Sequence, residues 1–451
     1  LVQPVKTSRR TILFAVIAAV VVLVAVGAVL LTSVQRPAEK IKIEWWDEWG
    51  EARLKWAEEM KAAFEKQHPE VEIIIVEFSS DEEFKTKFEA SIAAGQPPAV
   101  FRTLGGGVLK SYVDGGHVED LTDLLSEDWA VKQIPRAMLR QSTWGGRHYA
   151  VPFDLWVGHF YINRELFQKA GVEIPPITKT WTWDEFKEAI KKFKAAGIIP
   201  IAVGGKDKWE LSFYYMYLVD RLAGSDAFRK TINRAPGYSF TDEHWIKAGY
   251  LFKELVDLGA FQEGFIGASY DEAQNLFFTG KAAMWLQGPW ILGDLFASFP
   301  DFPIDIINFP TVPGGKGDPT MLLGAVQHHY AIAKNIPANV KKYAYEFLRF
   351  ITREESMVRY AELSKAPLAQ NVKVPTEQYP EVLMKVIESA SRASWLQMAY
   401  DEYSPPKFAQ VHLDSLAAVA AGTMTPEQMA EAQEAAAREL HQQGVLPIEQ
   451  V

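Results

Sequence analysis

Tryptophans and charged residues share short stretches of this chain where turns are also signalled, and those stretches are where its chemistry would be done. Trp46, Asp47 and Trp49 fall within Trp45-Trp46-Asp47-Glu48-Trp49-Gly50. Arg102 follows Pro97-Pro98-Ala99-Val100-Phe101, Asp154 follows Val151-Pro152, and Trp290 follows Gly288-Pro289. Side chains of these types hold a ligand. An indole covers the apolar face of a flat, hydroxylated ring; Asp47 and Asp154 would accept hydroxyl protons and Arg102 would donate. Burying about 100 Å² on one indole contributes roughly 2.5 kcal/mol at ~25 cal/mol per Å². A hydrogen bond to a charged group adds about 1.5–3 kcal/mol. Two stacking rings and three such bonds support roughly micromolar affinity after association costs. The aromatic content suits that use: 14 Trp, 16 Tyr and 26 Phe among 451 residues exceed what packing alone requires.

Residues for converting a ligand are harder to find. There is no H-E-x-x-H and no G-x-S-x-G, and Gly280-Lys281 lacks the Ser or Thr of a phosphate loop. Gly105-Gly106-Gly107 lacks the spacing of a dinucleotide fingerprint and is expected to be a plain turn. His328 and His329 are neighbours in an apolar strand, so they point to opposite faces and make no metal pair. The absence of cysteine excludes disulfides, thiolate metal sites, thiol catalysis and a lipid-modified cysteine. A net charge of −10 argues against nucleic acid, which needs clustered Lys and Arg. Neither a metal nor a cofactor is expected. Carboxylates are numerous, so a two-carboxylate glycosidase remains as an alternative. A membrane-anchored interaction protein without a small ligand is a third class.

A chain this long is expected to form two domains. Lys6, Arg9 and Arg10 precede an uncharged run from Thr11 to Val34. At ~1.5 Å per residue that run spans about 36 Å as a helix, enough for a ~30 Å hydrocarbon core. It is expected to be an uncleaved transmembrane anchor, its basic flank cytoplasmic and the bulk of the chain outside. A cleaved signal ending near Ala25-Val26-Gly27 is the alternative. Ser8-Arg9-Arg10 reads as ordinary flanking charge rather than a twin-arginine signal. Beyond the anchor, Ile41 to Trp46 alternates as a strand, and Leu54, Ala57, Met60 and Phe64 mark a helix from about Ala52 to Gln67. Val71 to Phe78 is a second strand, followed by a helix carrying Phe84, Phe88 and Ile92. This alternation implies a parallel sheet and an α/β lobe. Thr182-Trp183-Asp184-Glu185 and Thr425-Pro426-Glu427-Gln428 are capping boxes that open helices. Trp45 and Trp285 are expected to point into cores.

Phe277 to Trp290 reads as a helix end, a glycine turn, a buried strand from Ala282 to Leu286 and a second turn that delivers Trp290. This F-x-x-G-K-A-A-M-x-x-x-G-P-W run resembles a signature of the extracellular solute-binding proteins of ABC importers, in the carbohydrate-binding group that includes maltose-binding protein. Gly95 to Phe101 is similar to the family's G-x-x-P-D-V-F, with Ala99 in place of Asp. Gly116 to Thr122, Gly146 to Pro152 and Phe160 to Phe167 are similar to further family segments in the same order. The resemblance runs from about Ile41 to Leu440. It implies a two-lobed periplasmic-binding-protein-like α/β fold with a hinge, preceded by the anchor. Residues 1–40 would be flank, anchor and linker. Residues 41–152, returning near 328–365, would form one lobe; 158–323, completed by 366–451, would form the other. It further implies a mono- or oligosaccharide ligand, delivery to ABC permease subunits, a monomeric state and no catalysis. It adds Trp209 and Glu210, at the start of a helix facing the ligand, and Trp395 and Tyr403, in a late aromatic loop, to Trp46, Asp47, Trp49, Arg102, Asp154, Gly288 and Trp290 as ligand-binding candidates. A polyamine held by the same fold is an alternative.

Overall fold

A computed structural model describes residues 13–14, 16–22, 40–78, 81–375, 377 and 379–448. Its strands are β1 (Ile41–Asp47), β2 (Val71–Glu77), β3 (Val100–Thr103), the short hairpin pair β4 (Thr143–Trp144) and β5 (Arg147–His148), β6 (Val151–Val157), β7 (His159–Asn163), β8 (Ile199–Ala202), β9 (Ala282–Gln287), β10 (Ile304–Ile307), β11 (Leu322–Ile332) and β12 (Leu396–Gln397). They form two main sheets. One has the order β12-β11-β3-β1-β2, with β6 also paired to β11; the other is β10-β7-β9-β8.

The parallel pairing implied by the alternation holds for β1, β2 and β3, but neither sheet is parallel throughout. β1 pairs parallel with β2 and β3, but β11 returns antiparallel against β3 and β6. In the second sheet β8 and β9 are parallel, whereas β7 runs antiparallel to β9 and β10 antiparallel to β7. The crossing strands cause this, because a chain that leaves one lobe and comes back enters each sheet from the opposite end. β6 belongs to the first sheet and β7 to the second, and only Gly158 separates them. The Gly158 amide donates to Leu323 O at 2.8 Å, which ties this crossing to β11.

Each lobe has its own aromatic core. In the first, Trp45 and Trp56 are fully buried with Phe153, Tyr330, Phe347 and Tyr360. In the second, the helix Trp209–Ala223 runs through the interior, and Tyr214, Tyr215 and Tyr217 on it are fully buried. Trp285 is buried as expected, within an entirely buried β9. Both expected capping boxes form, and a third, Ser269 with Glu272, opens the helix Tyr270–Phe278. That helix closes on Gly280 at φ +66°, where a Cβ would be strained.

The three-glycine run is not a plain turn. It starts the helix Gly106–Asp114, and a Cβ on Gly107 would lie 2.2 Å from Ser404 O. The glycines let the first lobe's helix touch the late loop. The expected anchor, 11–34, falls largely outside the described residues, and among those residues no helix is long and apolar enough to cross a membrane.

Buried histidine makes the fold sensitive to acid. His412, wholly buried with Nε2 2.6 Å from Ser212 Oγ, is pushed down to about 3 from 6.5 by burial. Between those values the unfolded chain binds a proton that the fold refuses, so stability falls as pH falls. Removing that proton in His412→Gln should flatten the dependence by roughly 1.4 kcal/mol per pH unit between about pH 4 and 6. Urea unfolding midpoints of both chains across that range would show it; equal slopes would contradict it.

Candidate functional site

The parallel strands of both lobes end toward the same region, and ligands of open α/β sheets sit at that edge. On the second lobe, β9 leads through Gly288-Pro289 to Trp290, the residue before the helix Ile291–Ser298. A Cβ on Gly288 would lie 2.1 Å from the Trp290 ring, so glycine there is what lets the indole fold back. Trp290 stands at 6.1 Å and 68° to Trp209, and at 5.8 Å and 58° to Trp156. Trp209 also meets Phe213 at 5.2 Å and Tyr270 at 6.0 Å, and Phe213 stacks on Trp156 at 5.1 Å. Trp209 and Trp290 are half-buried, so each offers part of its ring outward. Trp156 is buried, and its indole N–H has no protein acceptor, the kind of donor a ligand oxygen satisfies.

Glu210 sits behind this wall. Its Oε2 accepts the Trp285 indole N–H at 2.7 Å and the Gln287 amide at 2.9 Å. Burial pushes its carboxyl up to about 8. It fixes the end of β9 from within the lobe.

The first lobe presents charge. Asp47, at the end of β1, is fully buried and accepts the Tyr330 hydroxyl at 2.5 Å. Arg53 and Arg102 pair with it at 3.6 and 3.9 Å, and Arg102 Nη1 lies 3.8 Å from Glu48 Oε2. Arg53 Nη1 donates to His328 Nε2 at 2.6 Å; arginine has no acceptor, so the His328 proton sits on Nδ1 and is donated to Asp154 Oδ1 at 2.7 Å. Tyr360 donates to Asp154 Oδ2 at 2.5 Å. Burial works to raise the Asp154 carboxyl, but the hydrogen bonds from the His328 ring and the Tyr360 hydroxyl, with the positive charge of Arg53, hold it below the usual range. Asp154 and His328 thus join β6 to β11, the two crossing strands. His329 turns away from this pair: a Cβ on Gly105 would lie 2.9 Å from its ring.

The two walls face each other. The lobes touch where Asp294, four residues past Trp290, accepts the Ala52 backbone N–H at 3.3 Å, and burial, then the charges of Glu210, Asp294 and Glu48, push the Tyr270 phenol up. The hollow beside Arg102, lined also by Phe84, Thr103, Leu104 and Tyr112, lies within the first lobe and measures about 10 Å³, room for roughly one water.

The structure therefore brings Trp209 and Trp290 together with Gly288, and gathers Asp47, Arg102 and Asp154 into one network. The other candidate rings pack within their own lobes. Strand alternation turns Trp46 to the opposite face of β1 from Trp45, against Phe78 at 5.1 Å, with its indole donating to Glu44. Trp49 is 6 % exposed and meets Trp45 edge-on at 4.7 Å. Trp395 is half-buried against the second core, and the Tyr403 hydroxyl accepts the Asn233 amide at 2.7 Å. Trp156, Tyr270 and Glu48 were missed. Trp156 reads as the interior of a crossing strand. Tyr270 had a signal, since the Ser269 capping box places it at the first turn of the helix that runs into the Phe277 to Trp290 stretch.

The family of bacterial extracellular solute-binding proteins matches residues 48–358. An uncharacterized ABC transporter extracellular-binding protein of Pyrococcus horikoshii is 26% identical over 309 residues, 67% of this chain and 68% of that protein. The multiple sugar-binding protein of Streptococcus mutans is 26% identical over 58% of this chain and 66% of its own length. Among solved structures, one from a study of xylan utilization by Caldanaerobius polysaccharolyticus superposes with a TM-score of 0.79 at 28% identity, covering 88% of this chain and 99% of that one. A chitin oligosaccharide binding protein superposes with a TM-score of 0.81 at 24% identity, covering 89% and 98%. The match to the family takes in both crossing strands and the Trp290 motif, and the chain belongs to the bacterial extracellular solute-binding proteins.

Proposed function

We propose that this chain binds a saccharide between its lobes outside the cytoplasm and hands it, chemically unchanged, to the permease of an ABC importer. The carrying observation is the group of Trp209, Trp290, Trp156 and Tyr270 on one lobe, which meets the other lobe through Asp294 and Ala52, a few residues beyond Asp47 and Glu48, the acids that pair with Arg102. Rings suit the C–H face of a sugar, and charged groups suit its hydroxyls. The sugar-related names of the relatives support the same class. The lobes would divide as 41–152 with 328–365, and 158–323 with 366–451, hinging at β6 and β11 around the ligand. Residues 11–34 would anchor a monomer to the membrane.

A glycosidase fits less well. Glu210 has the raised carboxyl such an enzyme needs for its acid, yet it is 1 % exposed, its Oε2 is spent on Trp285 and Gln287, and it sits behind the rings. A thermal-shift screen of the purified chain against neutral and acidic saccharides, polyamines and metal ions tests the proposal, since a ligand of the native form raises the melting temperature by mass action. A saccharide hit without release of new reducing ends is the expected result. A polyamine hit alone, or sugar cleavage, would overturn it.

A further inference from the structure

The helix Ile291–Ser298 leaves the Trp290 turn at the cleft edge of the second lobe. Ile291, Leu292 and Leu295 bury it in that lobe's core with Trp285. Its other side reaches the first lobe. Asp294 Oδ1 accepts the Ala52 backbone N–H at 3.3 Å. Ala52 is the second residue of the helix Glu51–Gln67, whose N-cap is Gly50 and which has no side-chain cap of its own. Gly50 and Gly293 permit the approach: a Cβ on Gly50 would lie 3.0 Å from Asp294 Oδ2, and one on Gly293 would lie 2.9 Å from Ser364 O and 3.1 Å from Ala52 Cβ.

A helix begins with amide N–H groups that have no partner within the helix, and a carboxylate there accepts from them and suits the positive end of the dipole. Nearly always the chain just before the helix supplies that acceptor. Here glycine occupies the position, and the acceptor comes from the opposite lobe. We infer that Asp294 is a closure residue: it caps the first lobe's leading helix only while the lobes are together, and so biases the chain toward the closed arrangement. The inference rests on the hinge reading above but on no particular ligand. When the lobes part, the capping contact is lost and Gly50 has no side chain to replace it. The contact therefore counts in one state and not the other, which is what shifts an equilibrium. Because Asp294 lies four residues beyond Trp290 on a rigid element, the ring that would meet the ligand and the carboxylate that holds the lobes move as one body.

The test is single-molecule energy transfer on the full chain without saccharide. The chain has no cysteine, so labels at Lys66→Cys on the first lobe and Lys169→Cys on the second, both exposed, are unique. Asp294→Ala should lower the closed-to-open ratio about fivefold, the equilibrium equivalent of a typical N-cap. Asp294→Asn should stay within about twofold, because an amide oxygen caps nearly as well. Gly293→Ala should also favour the open form, its methyl group meeting backbone of the first lobe. An unchanged ratio in Asp294→Ala overturns the inference, including when the melting temperature falls, since that would mark an ordinary stabilising residue. An Asp294→Asn chain as open as Asp294→Ala overturns capping in favour of charge. If the parent chain shows one population with or without saccharides, the hinge reading itself fails, and the inference with it.

Discussion

Trp290→Ala is expected to weaken saccharide binding about 70-fold while leaving the fold intact. The figure is the loss of roughly 2.5 kcal/mol of stacking from about 100 Å² of covered indole. The contacts with Trp209, edge-on, and Trp156, tilted, exist without ligand too, so losing them costs stability, about 0.5–1.5 kcal/mol each, and not affinity. Gly288→Ala should cost a similar amount without touching the ring chemically, because its methyl group takes the space that the Trp290 ring occupies. Trp395→Ala is the comparison, a half-buried ring packed on its own lobe, and should change affinity by less than about threefold. Isothermal titration with the best saccharide from the thermal screen reads all three. If Trp290→Ala binds within threefold of the parent, the aromatic wall is packing and the proposed site lies elsewhere.

Removing Asp154 should act on stability instead. Both of its oxygens are engaged, by the His328 ring, the His328 amide at 3.1 Å and the Tyr360 hydroxyl. Asp154→Ala leaves those buried donors unpaired and strips Arg53 of part of its balancing charge. Breaking one side of a buried charged network costs about 3–5 kcal/mol. Asp154→Asn keeps an acceptor for the imidazole and should cost roughly 1–3 kcal/mol, the range for a buried group left imperfectly paired. Urea unfolding would measure both. Affinity of the folded fraction should move far less than in Trp290→Ala. A variant that keeps its unfolding midpoint but loses saccharide would instead make Asp154 a direct ligand contact.

Several elements were legible in the amino-acid order because local rules dictate them. Gly280 ends a helix, Ala282 to Leu286 is a strand apolar on both faces, and Thr182 with Glu185 makes a reciprocal cap; each depends on neighbours a few residues away. The position of Trp290 was legible for the same reason. The lobes followed from motif order, which is a property of the whole sequence. What each candidate side chain faces was not legible. Trp46 and Trp49 stand three residues apart in one short stretch, yet strand alternation sends one to the outer face of β1 and the following turn folds the other against Trp45. Glu210 was placed correctly beside Trp209 but spends its oxygen on Trp285 and Gln287, 75 and 77 residues away. The three glycines before Val108 looked like a turn because their partner, the carbonyl of Ser404, comes from the far end of the chain. Order along the chain determines which elements form and where they stop, since those free energies are settled within a turn or a strand. Which carboxylate is spent inside a lobe, which ring remains turned outward and which helix is capped from across the cleft were decided only when the two lobes folded and met, because those contacts join residues that no local pattern relates.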